Sequence, residues 1–199
     1  RSKLVKKYTL SFLEKNKIFK ENIYIFVGEK ELDEYKNENP EYHIEIGGDK
    51  GTNHCNLLIR DYFTKDDYII QMDDDIKTLS YSPIKNKLAD YNLLELITKG
   101  KEELENHECT LWGTYPVYNP GFMHTKHKIS TDLRFIIGRI FGFINTKDIL
   151  TKDNCRDDYE RTILRYIRDG VVIRFNNIAV DALTFTGKGG LAEIRTIKM

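Results

Sequence analysis

Apolar and polar positions in the first third of the chain switch repeatedly between a helical and a strand period. In "KLVKKYTLSFLEKN", Leu4, Tyr8 and Phe12 recur every four residues and share one helical face. "NIYIFVG", residues 22–28, follows as an apolar run of strand length. "EKELDEYKNENP" is a polar surface helix stopped by Pro40, "YHIEIGG" is a second strand, and "TNHCNLLIRDYF" is an amphipathic helix. "DYIIQM", residues 67–72, is a third strand. This alternation predicts an α/β domain with a mostly parallel sheet crossed over by helices, whose ligands gather beyond the carboxyl ends of the strands.

Past Asp75 the alternation stops, and the pattern becomes that of an α+β half. A long helix is predicted over about residues 87–106, then a strand "TLWG", an irregular "TYPVYNPGFMHTKHKIS" and an extended "LRFIIGRIFGFIN". The loop over 116–130 has the length of a binding loop. "DDYERTILRYIRDG" reads as a helix started by Asp157 or Asp158 and ended at Gly170, before a strand "VVIRFNNIAVDA" and a Gly-rich tail. No repeat, linker or low-complexity block divides residues 1–199, so one domain is expected.

Composition narrows this little further. Lys plus Arg and Asp plus Glu number 31 each, so no global field advertises a nucleic-acid or membrane partner, and any steering must be local. Cys55, Cys109 and Cys155 are odd in number and lack metal-type spacing, which fits free thiols in a reducing compartment. No apolar run approaches the roughly 20 residues that span a bilayer. A soluble, cytoplasmic protein with no membrane partner is expected.

The informative chemistry is "IIQMDDDIKTL", three adjacent carboxylates at the end of an apolar strand. Adjacent acids repel, so the cluster either faces open water or holds a cation. In an extended chain Asp73 and Asp75 share a side and Asp74 takes the other, which makes a chelating pair. Mn²⁺ or Mg²⁺ suits such a pair, because these ions take one or two carboxylates and complete their shells with phosphate oxygens and water.

"YIIQMDDDI" resembles the strand-plus-DxD signature of GT-A glycosyltransferases, whose acidic motif holds a divalent cation against the diphosphate of a nucleotide sugar. The later "CRDDYERTILRYIRDGVVIRFNNI" and "TGKGGL", in that order, are similar to the TET-associated glycosyltransferases, phage and kinetoplastid relatives that glucosylate hydroxymethylated pyrimidines in DNA. The resemblance runs from about Lys3 to the tail. It implies a GT-A, Rossmann-like, mostly parallel sheet flanked by helices, a UDP-sugar donor, and a DNA acceptor in the host cytoplasm of a phage or virus. The chain begins inside what would be the helix after the family's opening strand, so either that strand lies outside these residues or the donor pocket lacks it. No histidine follows His127 to serve as the late metal ligand of many GT-A enzymes, which leaves the remaining coordination to water and diphosphate.

Other site residues follow from the same two sources. The resemblance makes Asp158 the base for an inverting transfer, with Asp157 as a cap; on the residues alone, an aspartate at a helix start is an ordinary cap worth about 1 kcal/mol. "TGKGGL" offers Lys188 and Gly189 to the donor diphosphate, and "GGDKGTNHCN", between a strand and a helix, adds Lys50 and Asn53; Asp74 completes the donor set. For the acceptor, "LWGTYPVYNPGFMHTKHK" interleaves Trp112, Tyr115, Tyr118 and Phe122 with Lys126, His127 and Lys128, suited to stacking an extruded base and holding phosphates. The same residues would also serve a core and a solvated rim. Three other functions share these motifs: a glycosyltransferase with a saccharide or protein acceptor, a nucleotidyltransferase, and a non-catalytic nucleic-acid or sugar-binding module.

Overall fold

The protein is described here from a computed structural model over residues 1–153 and 156–183. The first helical pattern forms α1 (Ser2–Val5), a π-helical turn (Lys6–Leu10) and α2 (Ser11–Lys15) in direct succession. β1 (Tyr24–Val27), α3 (Leu32–Glu38) and β2 (His43–Ile46) follow, with β1 and β2 paired in parallel as a two-stranded sheet. α4 (Thr52–Tyr62) then leads into β3 (Tyr68–Met72). Glycine is needed in the loop before α4, where Gly48 and Gly51 take φ of 74° and 96°.

The remaining elements are β4 (Ile76–Tyr81), β5 (Ala89–Asp90), α5 (Leu93–Asn106), β6 (Leu111–Tyr115), β7 (Ile129–Ser130), β8 (Ile140–Ile144), α6 (Asp157–Asp169) and β9 (Ile173–Ala182). The main sheet runs in the order β3-β8-β6-β9-β4-β5, with β7 paired to the first part of β9. It is a mixed, mostly antiparallel sheet that curls into a half-barrel.

The expected mostly parallel, Rossmann-like GT-A sheet is therefore corrected. Within the main sheet only β6 and β9 pair in parallel, whereas β3–β8, β8–β6, β9–β4 and β4–β5 are antiparallel. The reason lies in the connections. β3 is followed by a turn and a strand instead of a crossover helix, and the long loop after β6 starts and ends at one edge of the sheet. A strand entered from the edge its predecessor left at must run back against it. Residues 76–81, unassigned from sequence, form a strand, and the predicted helix over 87–106 begins only at Leu93 because residues 89–90 pair with β4.

Side-chain alternation splits the core into two faces of the main sheet. On one, Ile76, Leu79, Trp112, Ile140, Ile173 and Phe175 pack with Leu93, Leu96 and Leu104 of α5, and the same cluster takes in Val27 and Ile44 of the small sheet. On the other, Ile69, Leu111, Phe141 and Phe143 meet Tyr166 of α6. Trp112 is fully buried and its indole N–H donates to the Tyr68 hydroxyl at 2.7 Å. It fits because Gly142, its register partner on β8, and Gly100 on α5 leave room; a Cβ at either would lie within 2.4 Å of the indole.

Replacing Gly142 with Ala is expected to destabilise the fold by about 1–3 kcal/mol through overpacking against that ring. Urea unfolding followed by tryptophan fluorescence measures it. An unchanged midpoint would show that the indole has room to move.

Candidate functional site

One end of the main sheet collects the polar chemistry of the chain. β3, β6 and β9 all run toward it, so it receives Asp73 after Met72, Tyr115 at the end of β6, and Asp181 near the end of β9. α6 runs antiparallel to the strand that follows it, so Asp157 and Asp158 at its start come to the same end. Hydrogen bonds from α4 to Asp157 tie in that helix's first turns as well.

The three acids do not continue β3. Asp74 and Asp75 form a turn between β3 and β4, and the turn is clamped from below by Thr9. The Thr9 hydroxyl donates to the Asp73 carbonyl at 2.8 Å and accepts from the Ile76 N–H at 2.9 Å. Thr9 is 5% exposed and stands within the π-helical turn, a local widening of the helix that often marks functional positions. On the other side the Asp73 N–H donates to the Arg139 carbonyl at 3.0 Å. The backbone of the acid turn is thus held on both flanks.

The carboxyl groups are held in mutual tension. Asp73 reaches solvent at the surface yet has dense protein on most sides. Its accessibility decides whether a ligand can touch it, and its crowding decides its charge. That crowding pushes its pKa up to about 7, helped by repulsion from Asp75 and Asp74 and opposed by Arg139 and Arg161. Asp75 is also raised, by burial and then by Asp74, against the pull of Arg139. Asp74 lies 3.7 Å from the Arg1 guanidinium. Asp158 is raised by burial and partly restored by Arg161. Arg161 therefore stands in the field of Asp73 and Asp158 at once.

Of the other expected site residues, Asp157 does not cap α6. Its carboxylate accepts from Thr52 Oγ1 at 3.3 Å and Asn56 Nδ2 at 3.0 Å and lies 3.9 Å from Arg161, so it joins two helices. Asn53 accepts from Thr151 Oγ1 at 2.5 Å beside the same junction, and Lys50 is exposed on the loop before α4. Lys188 and Gly189 lie outside the described residues.

Trp112, expected on the acceptor side, presents no face to a ligand because it is sealed in the core; this corrects the sequence reading. Tyr115 is half-buried, with the Arg174 guanidinium 5.2 Å from its ring centroid. Lys126, His127 and Lys128 are exposed on the loop after β6, as is Phe122.

The sequence reading missed Thr9, Arg139 and Arg161. Arg161 carried one available signal, its i,i+4 spacing from Asp157. Thr9 carried none, since its partners lie over 60 positions away.

Among the described residues no three His, Cys, Asp or Glu side chains converge as a metal cage. Among those residues, too, no helix is long and apolar enough to cross a membrane. No protein-family model and no curated protein matches the chain.

Two outcomes test this geometry. Thr9→Val, which keeps shape but strands the buried Ile76 N–H and the Asp73 carbonyl, is expected to cost about 1–3 kcal/mol in chemical denaturation. The second concerns pH in metal-free protein. Because the folded pKa of Asp73 lies above the ordinary value near 3.9, its contribution to stability is fullest below that value and is lost as pH rises toward about 7. Asp73→Asn should therefore raise the melting temperature relative to wild type at pH 8 and do so less at pH 5. A difference that stays constant across that range would place the raised acidity elsewhere.

Proposed function

We propose that the protein is a metal-dependent glycosyltransferase that moves a sugar, glucose in the first instance, from a UDP-sugar to the hydroxymethyl group of a modified pyrimidine in DNA. The observation that supports it best is the arrangement at one sheet end of two sets of carboxylates, Asp73 with Asp75 and Asp157 with Asp158, of which Asp73, Asp157 and Asp158 stand in the field of Arg161. One set suits a cation and the other a proton, which are the two needs of transfer from a nucleotide diphosphate.

On this reading Asp73 and Asp75 hold Mn²⁺ or Mg²⁺, which when bound neutralises charge developing on the diphosphate leaving group. Asp158 accepts the proton of the acceptor hydroxyl as that oxygen bonds to the anomeric carbon and the bond to the diphosphate breaks. A carboxylate whose pKa burial has raised is a stronger base than a free aspartate, and Asp158 has this property. Asp157 is already engaged by Thr52 and Asn56 and serves to hold the helix start in place. Inversion at the anomeric carbon follows from a single displacement. Lys126 and Lys128, exposed on the loop after β6, supply phosphate contacts for a DNA acceptor.

The zero net charge favours one second reading, the same transfer to a saccharide or protein acceptor, because DNA binding usually draws on counterion release.

Incubation with Mn²⁺, UDP-glucose and hydroxymethylated DNA, followed by nucleoside mass analysis, should give a gain of one hexose. Asp158→Asn should lower the rate by about 10²–10⁴-fold, and Asp75→Asn should abolish metal dependence. If no UDP-sugar gives a product on DNA while a saccharide acceptor is modified, the acceptor assignment fails and the donor chemistry stands. If neither acceptor reacts, the transferase reading fails.

A further inference from the structure

Helix α6 is built inside out. Its apolar residues Tyr159, Ile163 and Ile167, spaced four apart, are 53%, 46% and 75% exposed, whereas its inward face carries Arg161 and Arg165 at 7% and 4%. Burying two guanidiniums while leaving isoleucines in water runs against the hydrophobic driving force, so the inward face must meet something other than apolar packing. What it meets is a small cleft, about 40 Å³ in cavity volume and half open to solvent, between α6, α4, the β3–β8 edge and the loop over 145–151.

Arg60, Lys147, Arg161 and Arg165 line that cleft, and no aspartate or glutamate does. From outside the lining Asp61 pairs with Arg60 at 2.7 Å and Asp157 lies 3.9 Å from Arg161, so among the described residues Arg165 is the arginine of the cleft with no carboxylate at ion-pair distance. Arg161 lies flat 3.8 Å over the Phe141 ring and Arg165 stands 5.1 Å over Phe143, so aromatic faces orient both planes. Part of their hydrogen bonding is satisfied by carbonyls: Arg161 donates to Ile136, and Arg165 to Thr110 and Ile144. The rest is not. Arg161 Nε, Arg165 Nε and Arg60 Nη1 are buried with no acceptor among the described residues. Burial also pushes the pKa of Arg165 down to about 10, as expected of a cation short of counter-charge. Buried donors without acceptors are costly, and a buried guanidinium without an ion pair, as Arg165 is, more so.

We infer that the cleft between α4, α6 and the β3–β8 edge is an oxyanion site, taking a phosphoryl group through Arg161 and Arg165, with Arg60 at its rim. Guanidinium forks match phosphoryl oxygens in geometry, and an oxyanion would bring acceptors for the orphan donors and a counter-charge for Arg165 together. Gln71 and Asn56, which share a 2.8 Å hydrogen bond on the wall nearest β3, add neutral polar groups to the same cleft. The site goes beyond the transferase reading and stands without it, since it uses neither Asp73 nor Asp75.

The test uses the whole chain, freed of metal with a chelator and held at constant ionic strength. Inorganic phosphate, pyrophosphate and UDP are titrated separately by calorimetry. Saturable one-to-one binding of pyrophosphate is expected without metal, weakened at least tenfold by Arg165→Gln and retained by Asp75→Asn. If Arg165→Gln fails to fold by circular dichroism, Arg60→Gln, at the half-buried rim, is expected to weaken binding in the same direction. UDP binding more tightly than pyrophosphate identifies a nucleotide as the source of the phosphoryl group; pyrophosphate binding equally well identifies free phosphate. Binding that appears only with metal, or that Asp75→Asn removes and Arg165→Gln leaves intact, overturns the site. So does no binding by any of the three.

Discussion

The arrangement depends on a guanidinium buried among acids. Arg161 sits on the inward face of α6, hydrogen-bonded to the Ile136 carbonyl, stacked on Phe141, 3.9 Å from Asp157 and within the field of Asp73 and Asp158. A cation in that position lowers the cost of gathering carboxylates, and the carboxylates in turn lower the cost of burying the cation. A buried arginine keeps its charge and needs acceptors or counter-charge to offset lost hydration, and acids crowded on one turn are pushed toward protonation when cations are far away. Even with Arg161 and Arg139 present, Asp73 is pushed up to about 7. Burial and the neighbouring acids therefore outweigh the pull of the protein's own cations at Asp73.

Topology supplies the second constraint. A sheet in which β3, β6 and β9 run toward one end brings together residues more than 100 positions apart, and α6 delivers its first turn there because it runs counter to β9. The clamp on the acid turn is equally remote in sequence. Thr9, within the π-helical turn, reaches both the Asp73 carbonyl and the Ile76 N–H, so a segment near the start of the chain holds the backbone of the acid turn. Fold and site are coupled at that hydroxyl, since one atom satisfies two backbone groups that the turn leaves without partners.

Local features were legible in the sequence where local physics decides them. The periodicity around Leu57 and Ile59 marks α4, the run "YIIQM" marks β3, and Gly170 ends α6 with φ of 73°, as a left-handed cap requires. Strand direction was not legible, because an apolar run looks the same whether its neighbour is parallel or antiparallel; the turn after Asp75 and the loop after β6 decide it. Trp112 shows a related limit. Aromatics next to lysines suggest a binding platform, but nothing local says that Gly142 and Gly100, 30 and 12 positions away, hollow out a socket for this ring. Asp157 was misread as a cap because its partners, Thr52 and Asn56, belong to a distant helix.

α6 is where pattern and placement part most sharply. Its period is helical, and a periodic helix is ordinarily docked by its apolar stripe. Here the polar stripe docks, which no count of hydrophobic positions reveals, because amphipathicity specifies that two faces differ and not which of them turns inward. The inward face is the one that carries Asp157, which joins Thr52 and Asn56 of α4, and on a helix Arg161 and Arg165 then lie one and two turns below it on the same side. The exposed Tyr159, Ile163 and Ile167 are then the consequence of placing the acids, a case in which the demands of a polar site override the burial of about three large side chains.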